Sequence, residues 1–580
     1  MMPLPLARVR LLLFLVSGLA LGCGRVVAQN ADVVFVGGQI ITADARGTTV
    51  QALAARGGRI VAVGTNAEIR KQVGPATQVV ELGGKTVLPG LYESHVHALR
   101  TAEAELRDSY QELTTIPQIQ EWIRQKARQV PAGAWIRIPR NEITRLKEKR
   151  HPTVQELDAA TTTHPVVFEA VRKYVFNTRG FAEFGISAET KSIPNAEILP
   201  GADGKPQFLI TTAVQYTSRW AARDSATAEQ KRESLLKLHR IYNSVGITTI
   251  FERGDAIAVY RSYEKLKEAG LLTLRMRFTL MYPPAYRGGD ELQRFTSEAN
   301  VRPGMGDDWV ALGPIKIIAD GGIHWGNTRL SEPYGERRIK FYVRNDPNYR
   351  GDLAYTVEEM TSIFGAAARA GWQFVIHVTG DAGTEAVLQA MENVNATTPL
   401  KDRRFSLTHS YFPTPAIAQR AAALGVCVDT QAYLYYKDSE FINMIYGRNW
   451  ADRFLGLGTW QKAGVPVAIN SDHMVGFDPN HSMNSFNPFL PLYIAVSRRN
   501  DAGNVYNADQ KLSRLDALRA VTAMPAYLTF DEAKSGTLET GKYADLVVID
   551  RDYLKCPEEQ IRDIKVLRTV VDGKTVYQAP

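Results

Sequence analysis

The stretch TVLPGLYESHVHALR, residues 86–100, carries a short apolar run, a Pro-Gly break, and then two histidines one residue apart, His95 and His97. The chain has only ten histidines in 580 residues, so two of them at i and i+2 at the end of an apolar strand need a reason. Residues two apart on a strand point to one face. Both imidazoles can therefore aim at one point, which is what two ligands of a shared metal ion require.

Working outward, the middle of the chain alternates buried-looking strands with helical patterns. Candidate strands are TVLPGLYES, PVVFEAV (165–171), GITTIFE (246–252), LRMRFTL (274–280), PIKIIADGG (314–322), QFVIHVTG (373–380), RFSLTHS (404–410), GVCVDT (425–430) and VPVAINSDH (465–473). Helical stretches such as YTVEEMTSIFGAAARAG and PTPAIAQRAAALG precede several of them. This alternation predicts a parallel sheet, and its length over 86–530 suits an α/β fold of the (β/α)8 TIM-barrel type with insertions. A doubly wound open sheet is the alternative, but no G-x-G-x-x-G follows an early strand. The two ends have another texture. Residues 31–85 and 531–580 hold short β-branched runs separated by Gly-Gly and Asp572-Gly573 turns, which predicts one β-domain built from both ends.

Barrel chemistry sits at the C-terminal ends of the strands. His95 and His97 end the first, His377 and His409 end two others, Asp472 ends VAINSD, and Lys316 and Asp320 lie on another. A single histidine at a strand end is usually a hydrogen-bonded core residue. Four of ten at the ends of three strands, joined by an aspartate from a fourth, predict a ligand set. Imidazoles and carboxylates suit zinc and similar divalent metals. Such a metal lowers the pKa of bound water from ~15.7 towards ~7, and Asp472 is the candidate to accept and pass on the proton. His324 and His473 lie beside these residues and are candidates for contacting substrate. No H-E-x-x-H, G-x-S-x-G or Walker-type phosphate loop competes with this scheme.

Composition narrows the class. The chain is 45% hydrophobic and 22% charged, with a formal net charge of +8. Its basic residues are interleaved with acids, as in RLKEKR, which describes a solvated surface and not a nucleic-acid-binding stripe. The N-terminus, with Arg8 and Arg10 followed by an apolar run from Leu11 to Leu21 and small residues, predicts an export signal over 1–28. A lipid anchor at Cys23 is the rival, and Ala20 and Leu21 fit it poorly. The apolar run is short for a membrane span, which needs ~20 residues, so the mature protein is expected to be exported, periplasmic or secreted, without a transmembrane span. Cys427 and Cys556 would remain; whether they pair, and whether copies of the chain associate, stays open.

PGLYESHVH, IHVTGDAG, the His409 strand, NSDH and the closing LSRLDALRAVTAMPAYLTFDEAKSGTLETGKYADLVVID resemble the amidohydrolase superfamily, within it the group that includes N-substituted formamide deformylase. IKIIADGGIHWGNTRLSEPYGE resembles that group's most distinctive segment. The resemblance runs from about Ala31 to the C-terminus. It implies a distorted (β/α)8 barrel with a β-sandwich from both chain ends, and His95, His97, His377, His409 and Asp472 as metal ligands or catalytic groups, His409 and Asp472 being the catalytic candidates. Lys316 falls where family members place a lysine that, when carboxylated, bridges two metals; unmodified, it leaves a single-metal site.

Departures from the family pattern lie near the expected substrate. Glu93 stands where an Asp is usual. FEAVRKYVFNTRG brings Arg172, Lys173 and Tyr174, and IPRNEITRL replaces a Gly-Trp segment. Arg172 and Tyr174 are therefore candidates for substrate binding, and basic groups there would suit an anionic substrate. The aromatic-rich segment 430–460 reads equally as packing or as a lid. The leading expectation is a metal-dependent hydrolase acting on a C–N bond of a small molecule. An ester or lactone hydrolase on the same site, and a non-catalytic exported binding protein, are the alternatives.

Overall fold

A computed structural model describes residues 30–107, 109–170, 173–201, 203–211, 214–218 and 226–580. The segment 1–28 with Cys23, and Arg172, lie outside the described residues. Among the described residues no helix is long and apolar enough to cross a membrane. Cys427 and Cys556 are both buried and free.

Eight parallel strands form the central sheet: β1 (Leu91–Val96), β2 (Ile247–Asp255), β3 (Arg275–Met281), β4 (Val310–Ile318), β5 (Phe374–Val378), β6 (Ser406–His409), β7 (Cys427–Thr430) and β8 (Val467–Ile469). Each pairs in parallel with the next. A bridge between Val96 and His473 brings β8 back to β1. The fold is thus a nearly closed, distorted (β/α)8 barrel. Ile315, Ile317, Phe374, Ile376, Leu407 and Val428 are all buried, as a parallel sheet covered by helices requires. Helix Val357–Ala370 shows how the cover is specified. Thr356 and Glu359 form a capping box, Met360, Ile363, Phe364 and Ala367 make the buried stripe, and Gly371 at φ 79° ends it.

One expected strand lies elsewhere. Val166–Ala170, within PVVFEAV, pairs antiparallel with Lys173–Phe176 and parallel with Ile136–Arg137 in a separate five-stranded sheet inserted between β1 and β2. Lys173 follows Ala170 too closely for a parallel crossover, which needs a dozen or more residues. The apolar run is a genuine strand, but its connection assigns it to another sheet.

The chain ends meet beside the barrel. A six-stranded sheet orders Lys574–Gln578, Val566–Val571, Leu546–Ile549, Thr86–Pro89, Gln39–Ile41 and Thr49–Val50; Val33–Val36 lies in a second, four-stranded sheet. Thr86–Pro89, expected to begin the barrel, runs in the six-stranded sheet and delivers the chain into β1. Barrel and end sheets are joined by a buried ion pair: Arg275 of β3 donates to Asp545 from Nε at 2.7 Å and from a terminal nitrogen at 3.1 Å, with its guanidinium 3.7 Å from the Tyr543 ring centre.

Removing Asp545 leaves the buried Arg275 guanidinium with only the partly exposed Asp572, 3.4 Å from one terminal nitrogen. Asp545→Ala should therefore lower stability by about 3–5 kcal/mol, read as an earlier chemical-unfolding midpoint. The double variant Arg275→Met with Asp545→Leu should recover much of that loss. A cost near zero for the single variant would contradict the joint.

Candidate metal centre

The strand ends converge as the alternation of side chains requires. His95 and His97 at the end of β1 have ring centres 5.4 Å apart. Asp472, just after β8, places Oδ1 3.4 Å from His95 Nε2 and 3.5 Å from His97 Nε2. Lys316 of β4 brings Nζ to 3.3 Å from His95 Nε2. His377 of β5 and His409 of β6 have ring centres 4.4 Å apart, and His409 lies 5.5 Å from His95. All six line one pocket of about 250 Å³.

The donor set fits a cation. One ligand atom from each of His95, His97 and Asp472 lies within 4.8 Å of the others. Asp472 Oδ1 is buried without a hydrogen-bond partner among the described residues. A buried carboxylate oxygen left unpaired is costly, and a metal ion between these three groups would satisfy it. Burial pushes the pKa of His95 and His377 well below the usual imidazole value and lowers those of His97 and His409, so all four carry the lone pairs that metal ligation needs. Burial likewise brings Lys316 down to about 8. Burial pushes Asp472 up, but the neighbouring His97, His409 and Lys316 outweigh it and hold the carboxylate below its ordinary value.

A buried polar network aims these groups. His409 Nδ1 lies 2.7 Å from Gln431 Oε1, Gln431 Nε2 donates to Asn470 Oδ1 at 2.7 Å, and Asn470 Nδ2 donates to Asp429 Oδ1 at 3.2 Å. That order makes His409 Nδ1 the protonated nitrogen and leaves Nε2 as a lone-pair donor. Asp429 also accepts from Thr408 at 2.9 Å and Arg253 at 3.3 Å, and lies 3.4 Å from His95 Nδ1. His377 Nε2 donates to the Gly321 carbonyl at 3.0 Å, leaving Nδ1 as its lone-pair donor. Gly254, at φ 75°, makes room for Lys316: a Cβ there would lie 2.9 Å from Lys316 Cδ. His409 and Asp472 themselves sit at φ 78° and 52°, unfavourable for non-glycine residues and typical of strained functional positions.

Glu93 staples the barrel seam. Buried beneath His95, its Oε1 accepts the Ser471 N–H at 3.0 Å, while the His97 N–H donates to the His473 carbonyl at 2.8 Å. Burial pushes Glu93 up to about 8, so it works here as a neutral acceptor near pH 7.

Other expected site residues fall differently. His324 faces the pocket, with Nε2 3.1 Å from Asp438, which also pairs with Arg145 at 3.1 Å. His473 is not among the residues lining the pocket: its ring nitrogens lie 2.7 Å from Tyr242 Oη and 2.7 Å from the Gly476 carbonyl, and it is fully buried. Tyr174 packs in the core of the inserted sheet, with Val167, Phe176 and Leu209, and is not among the residues lining the pocket. Lys173 reaches the carbonyls of Tyr342 and Val343. In the aromatic segment, Tyr435, Phe441, Tyr446 and Trp450 pack in the core, and Leu434 reaches the pocket. Sequence reasoning missed Asp429, Gln431, Arg253 and Arg145. Asp429 and Gln431, two apart at the end of β7, carried the same i, i+2 signal as His95 and His97.

Comparison with known proteins agrees with the fold and shows the family. A profile of the amidohydrolase family matches residues 78–577. N-substituted formamide deformylase of Arthrobacter pascens is 28% identical over 569 residues, covering 95% of this chain and 99% of that protein. A metal-dependent hydrolase from Pyrococcus horikoshii OT3 superposes with a TM-score of 0.67 at 18% identity, covering 91% of this chain and 99% of that one. An adenosine deaminase from Xanthomonas campestris, solved with bound zinc, gives 0.51 at 15% identity, covering 94% and 93%.

The seam staple is open to test. Glu93→Ala leaves the Ser471 N–H unpaired in the interior and should lower stability by about 1–3 kcal/mol, whereas Glu93→Gln keeps an acceptor of the same shape and should cost much less. Equal losses in thermal unfolding would contradict the role given to Glu93.

Proposed function

Since this chain belongs to the amidohydrolase family, we propose that it is a metal-dependent hydrolase that cleaves a C–N bond, in an amide, N-acyl or N-formyl group, of a small-molecule substrate. The observation that carries the reading is the unpaired, buried Asp472 Oδ1 facing the Nε2 atoms of His95 and His97. His95, His97, His377, His409 and Asp472 would hold a divalent metal, zinc by the preference of the donor set; carboxylated Lys316 would join them if there are two. The name of the formamide deformylase relative supports a C–N bond over an ester, and an exported location rests on the N-terminal segment.

When bound, the metal supplies a Lewis acid that acidifies water and polarises a carbonyl. The chain supplies the rest. Asp472, held as a carboxylate with Oδ1 towards the imidazoles, takes the proton of the attacking water on Oδ2 and returns it to the departing nitrogen. His409, with its proton on Nδ1, would hold the metal through Nε2 and not donate to the substrate carbonyl. Trp325, Met281 and Leu434 line the pocket and exclude water from the reacting group.

Asp472→Asn should lower kcat on N-formyl and N-acyl amines by about 10²–10⁴-fold, with the folded state retained. Chelation should abolish turnover and zinc restore it. Turnover that survives chelation, or an Asn variant with full activity, would contradict the mechanism; turnover of esters alone would favour the ester-hydrolase alternative.

A further inference from the structure

Beside the metal pocket lies a second hollow of about 460 Å³. His97, Arg100, Arg140 and Met474 line both, so the two form one continuous space with the metal site at its inner end. The outer hollow is cationic. Arg100 and Arg107 lie seven apart on helix Ala98–Arg107, with Ala104 between them on the same face. Arg137 comes from the edge strand Ile136–Arg137 of the inserted sheet, and Arg140 from the loop that follows it. Four guanidinium groups from two separate units thus converge on one hollow.

The carboxylates around it do not use them up. Glu169 is the one acidic residue among the described lining residues, and it meets one terminal nitrogen of Arg137 at 2.5 Å. Arg100 gives only Nε to Asp255, at 3.0 Å, and Arg140 one terminal nitrogen to Glu142, at 3.3 Å. Arg107 pairs with no carboxylate among the described residues and is exposed. Each guanidinium offers five N–H donors in a fixed fork, so several remain directed at a ligand. Carboxylates and phosphates both match such forks bidentately, and a carboxylate is the planar, smaller and singly charged of the two.

We propose that this hollow binds a carboxylate carried by the substrate, so that the molecule hydrolysed is an N-acyl compound with an anionic end that reaches Arg107, Arg137 and Arg140 while its C–N bond lies over the metal site. The substrate part of this assignment rests on the hydrolase reading; the anion site does not. Sequence alone pointed to basic groups near the substrate, but at Arg172 and Lys173. The arginines that line this hollow are Arg100, Arg107, Arg137 and Arg140; Arg172 lies outside the described residues.

Two measurements separate the claims. In calorimetric titration, glutarate should bind and its neutral counterpart glutaramide should not, and the double variant Arg107→Gln/Arg137→Gln should weaken glutarate at least tenfold. In turnover, the ratio of kcat/KM for ω-(formylamino)alkanoates over their terminal carboxamides should exceed ten and fall at least fivefold in the same variant. Because a ratio is read, a general loss of activity does not imitate the effect. Glutarate binding that the double variant leaves unchanged would place the anion on the metal site and overturn the proposal, as would hydrolysis with a ratio near one. Glutarate binding that is lost in the variant, without hydrolysis of any formyl compound, would keep the anion site and overturn the hydrolase reading.

Discussion

The closure of the barrel seam is the constraint on which the rest depends. A parallel sheet of eight strands must bring its first and last strands together, and β8 is only three residues long. The contact is completed past its end, by the His97 N–H on the His473 carbonyl and by Glu93 on the Ser471 N–H. Those residues flank Asp472. Closing the barrel at this seam therefore also brings Asp472 beside His95 and His97.

Bringing several ionisable groups into a buried space costs desolvation, and the structure offsets it by pairing. Asp429 is the hub: it takes hydrogen bonds from Thr408, Asn470 and Arg253, and through Asn470 and Gln431 it sets the tautomer of His409. Such a network rigidifies a site only if every member is satisfied. The group left without a hydrogen-bond partner at the centre among the described residues is Asp472 Oδ1, where a cation would complete the network. The strained backbone of His409 and Asp472 is held in place by the same network and by the seam.

Much of this was legible in the sequence, for reasons that also explain the gaps. Strand periodicity and strand-end histidines are local signals, so the barrel strands and the cluster of His95, His97, His377, His409, Asp472 and Lys316 could be named. Connection length decides which sheet a strand joins, and that misplaced 165–171. Side-chain partners across the fold are invisible in one sequence. His473 looked like a substrate contact until Tyr242 and the Gly476 carbonyl were seen on its two nitrogens, and Tyr174 until its core was seen. The arginines of the outer hollow come from segments 30 to 40 residues apart, and only the inserted sheet brings them face to face.

The central claim is that the converging imidazoles and carboxylate are a metal site. Elemental analysis of the full chain, purified without chelator, tests it most directly. The account predicts at least one zinc or similar divalent ion per chain, and two if Lys316 is carboxylated and bridging. Protein that holds none, and takes up none when zinc is added, would contradict it.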